Sequence, residues 1–330
     1  MKTNNLFVVR SPLQLLNAIE AREYFSCQNT VLLLMFNSNI NNTNQMKDLV
    51  IDKDWDQIIE YDEQKIPKYL SLISQIRLVK KLKQQRYNYL FSGDFGTKNQ
   101  IIIANCHPKE IFILDDGTTT IFTHEKLKNG HYLKNLSFGK KLKLYRYLLA
   151  GLHFRINQPI NFFTIYNLTQ FKKEKIITHN FEYLRTNKIK HREQEDTLYF
   201  LGQSLVDGRW MSHESYLKYV KAVIDQYKQK IIYIPHRSEL VSDELKSLES
   251  EKFKIQTSTG PIEITLLNNS NIPSGIISFC SAALFNLSKI FPQAHIQAIR
   301  IKDKDLLKAQ ATVTKLYDFF EGSDVEVIHL

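Results

Sequence analysis

Short apolar runs alternate with amphipathic stretches along the first part of the chain. "NLFVVR" (residues 5–10) and "TVLLLMF" (30–36) have the length and composition of buried strands. Between them, "SPLQLLNAIEAREYF" (11–25) predicts a helix in which Ser11 is the N-cap and Pro12 takes the first helical position. This strand–helix–strand order is typical of a parallel sheet whose two faces are covered by helices.

The same alternation continues to the carboxyl end of the chain. A basic amphipathic stretch over 70–85 predicts another helix. The remaining predicted strands share a short apolar run that ends in a polar turn: "YNYLFSG", "QIIIAN", "EIFILDD", "TLYFLGQ", "KIIYIPH", "FKIQTS" and "GIISFC". Each half of the chain is therefore predicted to form an open α/β sheet.

The boundary between the two predicted domains falls in a charged segment. Residues 171–196 are rich in charge and poor in long apolar runs. We therefore predict a Rossmann-like domain over 1–170, a linker over 171–196 and a second Rossmann-like domain over 197–330. The total of 330 residues is sufficient for two domains of ordinary size.

Composition limits the class of protein. The chain is 43% hydrophobic and 24% charged, which are ordinary globular proportions. Cys27, Cys106 and Cys280 lie far apart and form no CxxC pair, so the sequence suggests neither a disulfide framework nor a zinc site. Because no apolar run is long enough for a signal peptide or a membrane span, we expect a cytoplasmic protein.

The net charge of +10 is concentrated in one segment. Residues 125–190 contain fourteen Lys or Arg against three Glu, a net charge of +11. Within this basic segment, 138–155 predicts a helix whose apolar side carries Leu142, Tyr145, Leu149 and Leu152. That helix could dock on the core of the protein or face a membrane. The segment itself fits a solvated surface or an anionic partner, such as a membrane, an acidic glycan or nucleic acid.

Polar groups follow several predicted strands, at the ends where ligands collect in open parallel sheets. In "YIPHR", Pro235 is followed by His236 and Arg237, which can bind a phosphate, and a protonated imidazole can give a proton to a leaving oxygen. In "FLGQS", Gly202 and Gln203 form a turn where the backbone could approach a phosphate or a base. Each group alone also fits an ordinary polar turn.

Two further residues of the second half are candidates for ligand contacts. Ser281 precedes a helical run, where a hydroxyl and backbone N–H groups could bind an anion or simply cap the helix. Glu263 lies in the first turn of a predicted helix and could accept the hydroxyls of a ribose. The helix dipole also favours an acidic residue there, so this position has an ordinary structural explanation as well.

The stretch "LDDG" places two acids at the end of a predicted strand. Either Asp115 or Asp116 could take the proton of an attacking hydroxyl, and Gly117 leaves room for close approach. A metal site built from both carboxylates is disfavoured, because adjacent residues on an extended chain point in opposite directions. We expect one base and one structural neighbour. "GDFG", with Asp94, predicts a turn at another strand end that lines the same cleft.

Taken in order along the chain, these residues resemble the bacterial sialyltransferases of glycosyltransferase family 52, of the lipooligosaccharide and capsule type. The resemblance spans nearly the whole chain and rests on seven motifs: "SPLQLL", "LDDG", "FFTIYNL", "LGQ", "YIPHRSE", "PIE" and "SFCSAALFNL". It implies the α/β GT-B fold, in which two Rossmann-like domains with parallel sheets face a central cleft.

The resemblance also implies roles for individual residues. Asp115, the first acid of the Asp-Asp-Gly motif, corresponds to the general base. His236 corresponds to the histidine that contacts the phosphate of the cytidine nucleotide and assists its departure. Ser281 and Ser278 correspond to phosphate-binding serines, although Cys280 occupies the position next to Ser281 where the family pattern has a second serine.

The remaining predicted site residues divide between the two substrates. The donor-side group consists of Gly202, Gln203, Pro235, His236, Arg237, Glu263, Ser278 and Ser281. The acceptor-side group consists of Ser11, Gln14, Asp94, Asp116 and Gly117. The activity implied by the resemblance is inverting transfer of sialic acid from CMP-Neu5Ac to a galactoside hydroxyl of a bacterial lipooligosaccharide, O-antigen or capsule, with no cofactor and no required metal.

Several alternatives stay open at this point. CMP forms of Kdo, pseudaminic acid or legionaminic acid would use the same nucleotide contacts. A non-enzymatic nucleic-acid binder is a rival reading, but the chain has no recognisable nucleic-acid-binding motif and we expect no such partner. A lipid-linked acceptor would bring residues 125–190 to the anionic inner face of the cytoplasmic membrane. A homodimer is compatible with the sequence.

Overall fold

The computed structural model describes residues 3–37, 39–50, 54–130, 138–189, 191–258, 260–308 and 310–330. The chain divides into two compact units, Met1–Tyr183 and Leu184–Leu330. No helix among these described residues is long and apolar enough to cross a membrane.

The described residues of the first unit form a seven-stranded parallel sheet in the order β3-β2-β1-β4-β5-β6-β7. Its strands are β1 (Asn4–Val9), β2 (Thr30–Phe36), β3 (Gln57–Asp62), β4 (Tyr87–Ser92), β5 (Glu110–Ile113), β6 (Ile160–Thr164) and β7 (Ile176–Thr178). Its helices are α1 (Pro12–Tyr24), α2 (Ile40–Leu49), α3 (Ser71–Leu82), α4 (Thr97–Cys106), α5 (Thr119–Lys128) and α6 (Phe138–Leu149).

Alternate side chains of this sheet build a core on each of its faces. Phe7 of β1 packs with α1 and α2 on one face, whereas Leu6 and Val8 pack with α3, α4 and α6 on the other. All seven residues of β2 are buried, as expected for a parallel strand covered on both faces. The two cores hold the sheet in place, and the polar turns at the ends of its strands therefore occupy defined positions.

The described residues of the second unit form a six-stranded parallel sheet in the order β10-β9-β8-β11-β12-β13. Its strands are β8 (Gln194–Leu201), β9 (Lys230–Ile234), β10 (Phe253–Ile255), β11 (Ile272–Ser278), β12 (His295–Ile299) and β13 (Glu326–Ile328). The helices are α7 (Glu182–Lys188), which crosses the division between the units, α8 (His213–Gln226), α9 (Asp243–Lys246), α10 (Ile262–Asn268), α11 (Ala283–Ile290) and α12 (Gln310–Glu321), with a 3-10 turn at Asp303–Asp305.

The strand order reverses once in each sheet. In the first unit the reversal lies between β1 and β4, and in the second unit it lies between β8 and β11. At such a point the loops leave the two strands in opposite directions and open a crevice beyond their carboxyl ends, which is where ligands bind in this class of sheet. Each unit therefore has one preferred place for a ligand.

Two open α/β sheets were predicted and are confirmed, but one predicted strand is wrong. "QIIIAN" lies inside helix α4, whose residues from Ile101 to Cys106 are all buried. A helix that is buried on every side lacks the polar face that produces helical periodicity, and its consecutive isoleucines resemble a strand. The sequence pattern alone could not separate these two structures.

The predicted linker over 171–196 contains regular structure. It holds β7, helix α7 and the beginning of β8, and the division between the units falls inside it, after Tyr183. β7 gives little apolar signal in the sequence, because it is an edge strand of only three residues, two of them half-buried and one exposed.

Helix α6 faces the core differently from the prediction. Among the side chains of α6 that the structure describes, Leu144 and Tyr147 are buried, and the Tyr147 hydroxyl donates to Gln75 Oε1 of α3 at 2.6 Å. Of the residues predicted on its apolar side, Tyr145 and Leu149 are 61% and 90% exposed, whereas Leu152, just after the helix, is buried. The side chain of Leu142 lies outside the described residues. The apolar residues of this helix therefore divide between the core and the surface.

Candidate active site

Gln14 joins the carboxyl ends of β1 and β4 in the first unit. Ser11 caps α1 by accepting the Gln14 N–H at 3.3 Å, which fixes the start of the helix. The buried Gln14 side chain accepts the Arg10 N–H at 2.8 Å and hydrogen-bonds the Asp116 carboxylate. A Cβ at Gly93 would lie 2.7 Å from the Gln14 Cβ, so only glycine fits beside this side chain.

Asp115 is completely buried at the end of β5. Its Oδ1 accepts the Thr164 hydroxyl and its Oδ2 accepts the Ile165 N–H, both at 2.7 Å. Burial raises the pKa of Asp115 to about 7, although these hydrogen bonds oppose the rise. The predicted role of Asp115 as general base stays a prediction, and this arrangement does not favour it. The side chain has no exposed surface, and each carboxylate oxygen already accepts one hydrogen bond.

His179 lies beside Asp115 in the same buried region. Its Nε2 is 3.9 Å from Asp115 Oδ2 and has no hydrogen-bond partner among the described residues. The ring stacks on Phe163 with a centroid distance of 4.2 Å. Burial lowers the pKa of His179 to about 3, so the imidazole is neutral at neutral pH and leaves the Asp115 carboxyl without a cationic partner there.

Asp116 is the carboxylate of the pair that reaches the surface. It is partly exposed, and burial is the main reason that its pKa is raised. The Gln14 hydrogen bond and the nearby Arg10 guanidinium oppose that rise, whereas the nearby Asp94 carboxylate adds to it. The two adjacent acids therefore point in opposite directions, and Asp116 is the one available to a ligand.

The remaining predicted acceptor-side residues fix the turns around Asp116. Gly117 has a φ of 59°, in the left-handed region that favours glycine. The Asp116 N–H then donates to the Thr120 hydroxyl at 3.0 Å, just as α5 begins. Asp94 is partly exposed, but its Oδ1 accepts the Gly96 N–H at 2.6 Å ahead of α4.

The second unit has its own cluster, centred on the Glu239 carboxylate. Its Oε1 accepts the Tyr216 hydroxyl at 3.0 Å and the Tyr233 hydroxyl, and its Oε2 accepts the His236 N–H at 2.9 Å. Burial raises the pKa of Glu239, and these three donors oppose the rise. A Cβ at Gly202 would lie 2.7 Å from the Tyr233 Cζ and would also overlap Glu239 Oε2. This buried glycine therefore makes room for the carboxylate and the phenol, and its predicted ligand contact stays a prediction.

His236 is exposed at the end of β9, and its ring is held from one side. Its Nδ1 accepts the Ser238 N–H at 3.3 Å and lies 2.8 Å from the Ser238 hydroxyl. An acceptor at Nδ1 means that the neutral ring carries its proton on Nε2. Burial, with a smaller effect of the adjacent Arg237 guanidinium, lowers the pKa of His236.

Gln203 connects the ends of β8 and β11 at the strand-order reversal. Its Oε1 accepts the Cys280 N–H at 2.8 Å. Ser281 is partly exposed and accepts the Ala283 N–H at 3.3 Å, at the start of α11. Ser278 is completely buried and donates to the Leu201 carbonyl at 2.7 Å, so its predicted phosphate contact stays a prediction that this geometry does not favour.

Glu263 turns inward rather than toward a ligand. It is buried, and its Oε1 accepts the Asn286 amide of α11 at 2.7 Å. Burial raises the pKa of Glu263. The predicted ribose contact therefore has no support in this geometry.

Pro235 is partly exposed and Arg237 is exposed, as expected for the turn that carries His236.

The sequence profile of glycosyltransferase family 52 matches residues 29–303, a range that includes both clusters apart from the Arg10–Gln14 turn. The chain belongs to glycosyltransferase family 52.

Solved structures show which architecture this family 52 chain has. It is similar to the spinosyn forosaminyltransferase SpnP, with 11% identity and a TM-score of 0.53 over 99% of this chain and 86% of that chain. It is also similar to Arabidopsis thaliana UGT89C1 complexed with UDP-L-rhamnose, with 9% identity and a TM-score of 0.52 over 99% of this chain and 85% of that chain. The similarity to TcCGT1 in complex with UDP has 10% identity and a TM-score of 0.52 over 99% of this chain and 86% of that chain. At these identities the similarity is one of fold, and the fold is GT-B. A search of the curated proteins found no significant match.

Sequence reasoning missed Thr164, Tyr216, Tyr233 and Glu239, although all of them except Tyr216 lie within quoted motifs. A signal existed for Glu239, because an acid three residues after a strand-end histidine can accept the free N–H groups of the turn. Thr164 and the two tyrosines gave no such signal, since their importance depends on contacts across the sheet.

Proposed function

We propose that this family 52 glycosyltransferase transfers sialic acid from CMP-Neu5Ac to a galactoside hydroxyl of a bacterial surface glycan, with inversion of configuration. The observation that supports it best is the family match, combined with a reactive side chain in each unit that follows a strand one place away from the reversal of strand order. Asp116 is partly exposed in the first unit, and His236 is exposed in the second.

Asp116 serves as the general base in this proposal, in place of Asp115. A base must reach the hydroxyl whose proton it takes, and Asp116 has exposed surface whereas Asp115 has none. The pKa of Asp116 is raised toward neutral pH, and a carboxylate with a higher pKa is a stronger proton acceptor. The Gln14 amide holds this carboxylate in one orientation.

His236 stabilises the departing nucleotide. Because its Nδ1 accepts from Ser238, its exposed Nε2–H is the donor available to a phosphate oxygen. Arg237 and the Ser281 hydroxyl are further donors at strand ends of the same unit. Donors aimed at the charge that develops on the leaving group lower the barrier, and a cationic guanidinium could supply this stabilisation without a metal ion.

Asp115 has a structural role in this proposal. It ties the end of β5 to the end of β6 through Thr164 and Ile165. Because Asp116 is the next residue, the tie also fixes the backbone from which the base projects. Asp115 is thus a positioning residue that makes no contact with substrate.

Incubation of the protein with CMP-Neu5Ac and a panel of galactosides, followed by mass spectrometry, tests the function. We expect a product heavier than the acceptor by one sialic acid residue, together with release of CMP. Parallel reactions with CMP-Kdo, CMP-pseudaminic acid and CMP-legionaminic acid identify the sugar if CMP-Neu5Ac is inert. Transfer from UDP-sugars alone would reject the proposal.

NMR analysis of early product tests the stereochemistry in the same reaction. We expect an α-linked sialoside, because the donor is β-linked and one displacement inverts the anomeric carbon. Activity after exhaustive treatment with EDTA is expected to equal that of the untreated enzyme. A requirement for added divalent cation would remove the metal-independent part of the proposal.

A further inference from the structure

Two turns that carry predicted donor contacts share one anchor, which consists of Glu239 and the buried Tyr216 and Tyr233. The Tyr216 hydroxyl accepts the Gln203 N–H at 3.1 Å and donates to Glu239 at 3.0 Å. Glu239 in turn accepts the His236 N–H at 2.9 Å. A continuous chain of hydrogen bonds therefore joins the backbone at the end of β8 to the backbone at the end of β9.

Packing holds this anchor in place. Tyr216 and Tyr233 are 3% and 0% exposed, and their hydroxyl oxygens lie 2.7 Å apart. The ring of Tyr233 meets Phe200 edge to face, and Gly202 leaves the space that the Glu239 carboxylate occupies. Hydrogen bonds to an ionised acceptor are stronger than those between neutral groups, so the carboxylate binds both turns firmly.

The anchor also determines where the His236 ring lies. Its Nδ1 accepts from the Ser238 backbone, and Ser238 lies between His236 and Glu239 in the same turn. The Glu239 N–H donates to the His236 carbonyl at 2.8 Å, which closes that turn. Displacing the Glu239 carboxylate, which belongs to a partly exposed residue, would therefore move the imidazole.

We propose that Glu239 is a positioning residue for recognition of the nucleotide phosphate, acting through His236 and, by way of Tyr216, through Gln203. The inference rests on the proposed function, in which His236 contacts the phosphate of CMP. In this inference Glu239 does not contact the substrate. Binding of the phosphate depends on Glu239, whereas binding of the cytidine does not.

The test compares the affinities of CMP and cytidine, measured by NMR titration of the full chain. Glu239→Ala removes the acceptor of the His236 N–H and of both tyrosine hydroxyls. We expect the ratio of CMP affinity to cytidine affinity to fall at least tenfold, while cytidine affinity stays within twofold of wild type. Glu239→Gln keeps an acceptor oxygen and should recover most of the wild-type ratio of CMP affinity to cytidine affinity. A general loss of stability would not explain such a recovery.

Two variants in the same unit serve as matched controls. Glu251→Ala removes an exposed glutamate, and Tyr199→Phe removes a tyrosine hydroxyl that bonds Asn269 and Glu195 instead of Glu239. Both should keep the wild-type ratio. A Glu239→Ala ratio equal to that of wild type, or a Glu239→Gln ratio no higher than that of Glu239→Ala, would overturn the inference.

If Glu239→Ala does not fold, Tyr216→Phe decides the question. It removes the acceptor of the Gln203 N–H and one donor to Glu239, so the ratio should fall at least threefold, and an unchanged ratio would overturn the inference. Failure of the proposed function gives a different result. A wild-type protein that binds CMP no better than cytidine lacks the phosphate site itself, and the inference then falls with the function.

Discussion

At the scale of single residues, the main result is the separation of two adjacent acids. The alternation of an extended chain predicts that Asp115 and Asp116 point in opposite directions, but not which of them is buried. The Thr164 hydroxyl and the Ile165 N–H decide which acid is buried, because both donate to the carboxylate of Asp115. Their positions depend on how β6 pairs with β5, which no local pattern specifies.

Substitution of each acid separately tests the assignment. Asp116→Asn should lower the transfer rate by about 10²–10⁴-fold, because it removes a general base. Its affinity for CMP should stay at the wild-type level, since Asp116 lies in the other unit from the donor-side group. Rates measured with saturating CMP-Neu5Ac and galactoside give the comparison.

Asp115→Asn is the matched control for that experiment. Its amide oxygen can accept the Ile165 N–H, and its NH₂ group can donate to the Thr164 hydroxyl, so the fold and most of the activity should be kept. Loss of transfer in Asp115→Asn with an active Asp116→Asn would restore Asp115 as the base.

The buried Asp115 carboxyl should also give unfolding a recognisable pH dependence. Its pKa is about 7 in the folded protein and about 4 in an unfolded chain, so the folded state binds more protons between these values. This group therefore lowers the free energy of unfolding as the pH rises from about 4 to about 7, by up to about 1.4 kcal/mol per pH unit.

Urea unfolding of the wild type and of Asp115→Asn at pH 5 and pH 7 isolates this effect. A Trp210→Phe background leaves Trp55 as the single tryptophan and makes fluorescence report on the first unit. The wild type should lose stability relative to Asp115→Asn at the higher pH. Equal pH dependence in the two proteins would show that Asp115 does not titrate in this range.

At the scale of elements, glycines at strand ends decide which side chains can approach one another. Gly93 ends β4 against Gln14 of α1, and Gly202 ends β8 against Glu239 and Tyr233. The sequence predicts a turn at both positions from the glycine itself. It does not predict that the missing side chain leaves space for a neighbouring element rather than for a ligand, because that neighbour comes from elsewhere in the chain.

Gly93→Ala tests the first of these contacts. The added methyl overlaps Gln14, which must then release the Arg10 N–H or the Asp116 carboxylate. We expect at least a tenfold loss of transfer with unchanged CMP affinity, and a loss of about 1–3 kcal/mol in the free energy of unfolding. Gly322→Ala is the control, because its nearest neighbouring atom would be 3.8 Å away. Wild-type transfer in Gly93→Ala would contradict the role of Gln14.

At the scale of the whole molecule, the basic segment 125–190 favours an anionic membrane surface as its partner. Its described part includes six exposed cationic residues of the first unit besides Lys175, which pairs with Glu110: Lys126, Lys128, Arg146, Arg155, Lys172 and Lys173. Tyr145 and Leu149 of α6 are exposed beside Arg146. Cations together with exposed apolar side chains are the combination that binds anionic lipid surfaces.

Vesicle sedimentation tests this membrane contact. The protein should bind phosphatidylglycerol vesicles at low salt, should be released at high salt, and should not bind phosphatidylcholine vesicles, because screening weakens attraction between charges. Leu149→Ser should reduce binding, whereas Leu240→Ser, which changes a leucine that is 81% exposed in the second unit, should not. Absence of binding to anionic vesicles at low salt would remove the proposal.

Hydrophobic patterning and turn residues by themselves determined the two α/β sheets, most of the strands and the positions of the polar motifs at the strand ends. These features depend on neighbours within a few residues, where periodicity and capping act. Only the tertiary structure decided that Asp115 is buried while Asp116 is accessible, that Ser278 and Glu263 turn inward, and that Glu239 joins two turns. Each of those outcomes depends on donors and space supplied by distant strands and helices, which the order of residues along one strand does not encode.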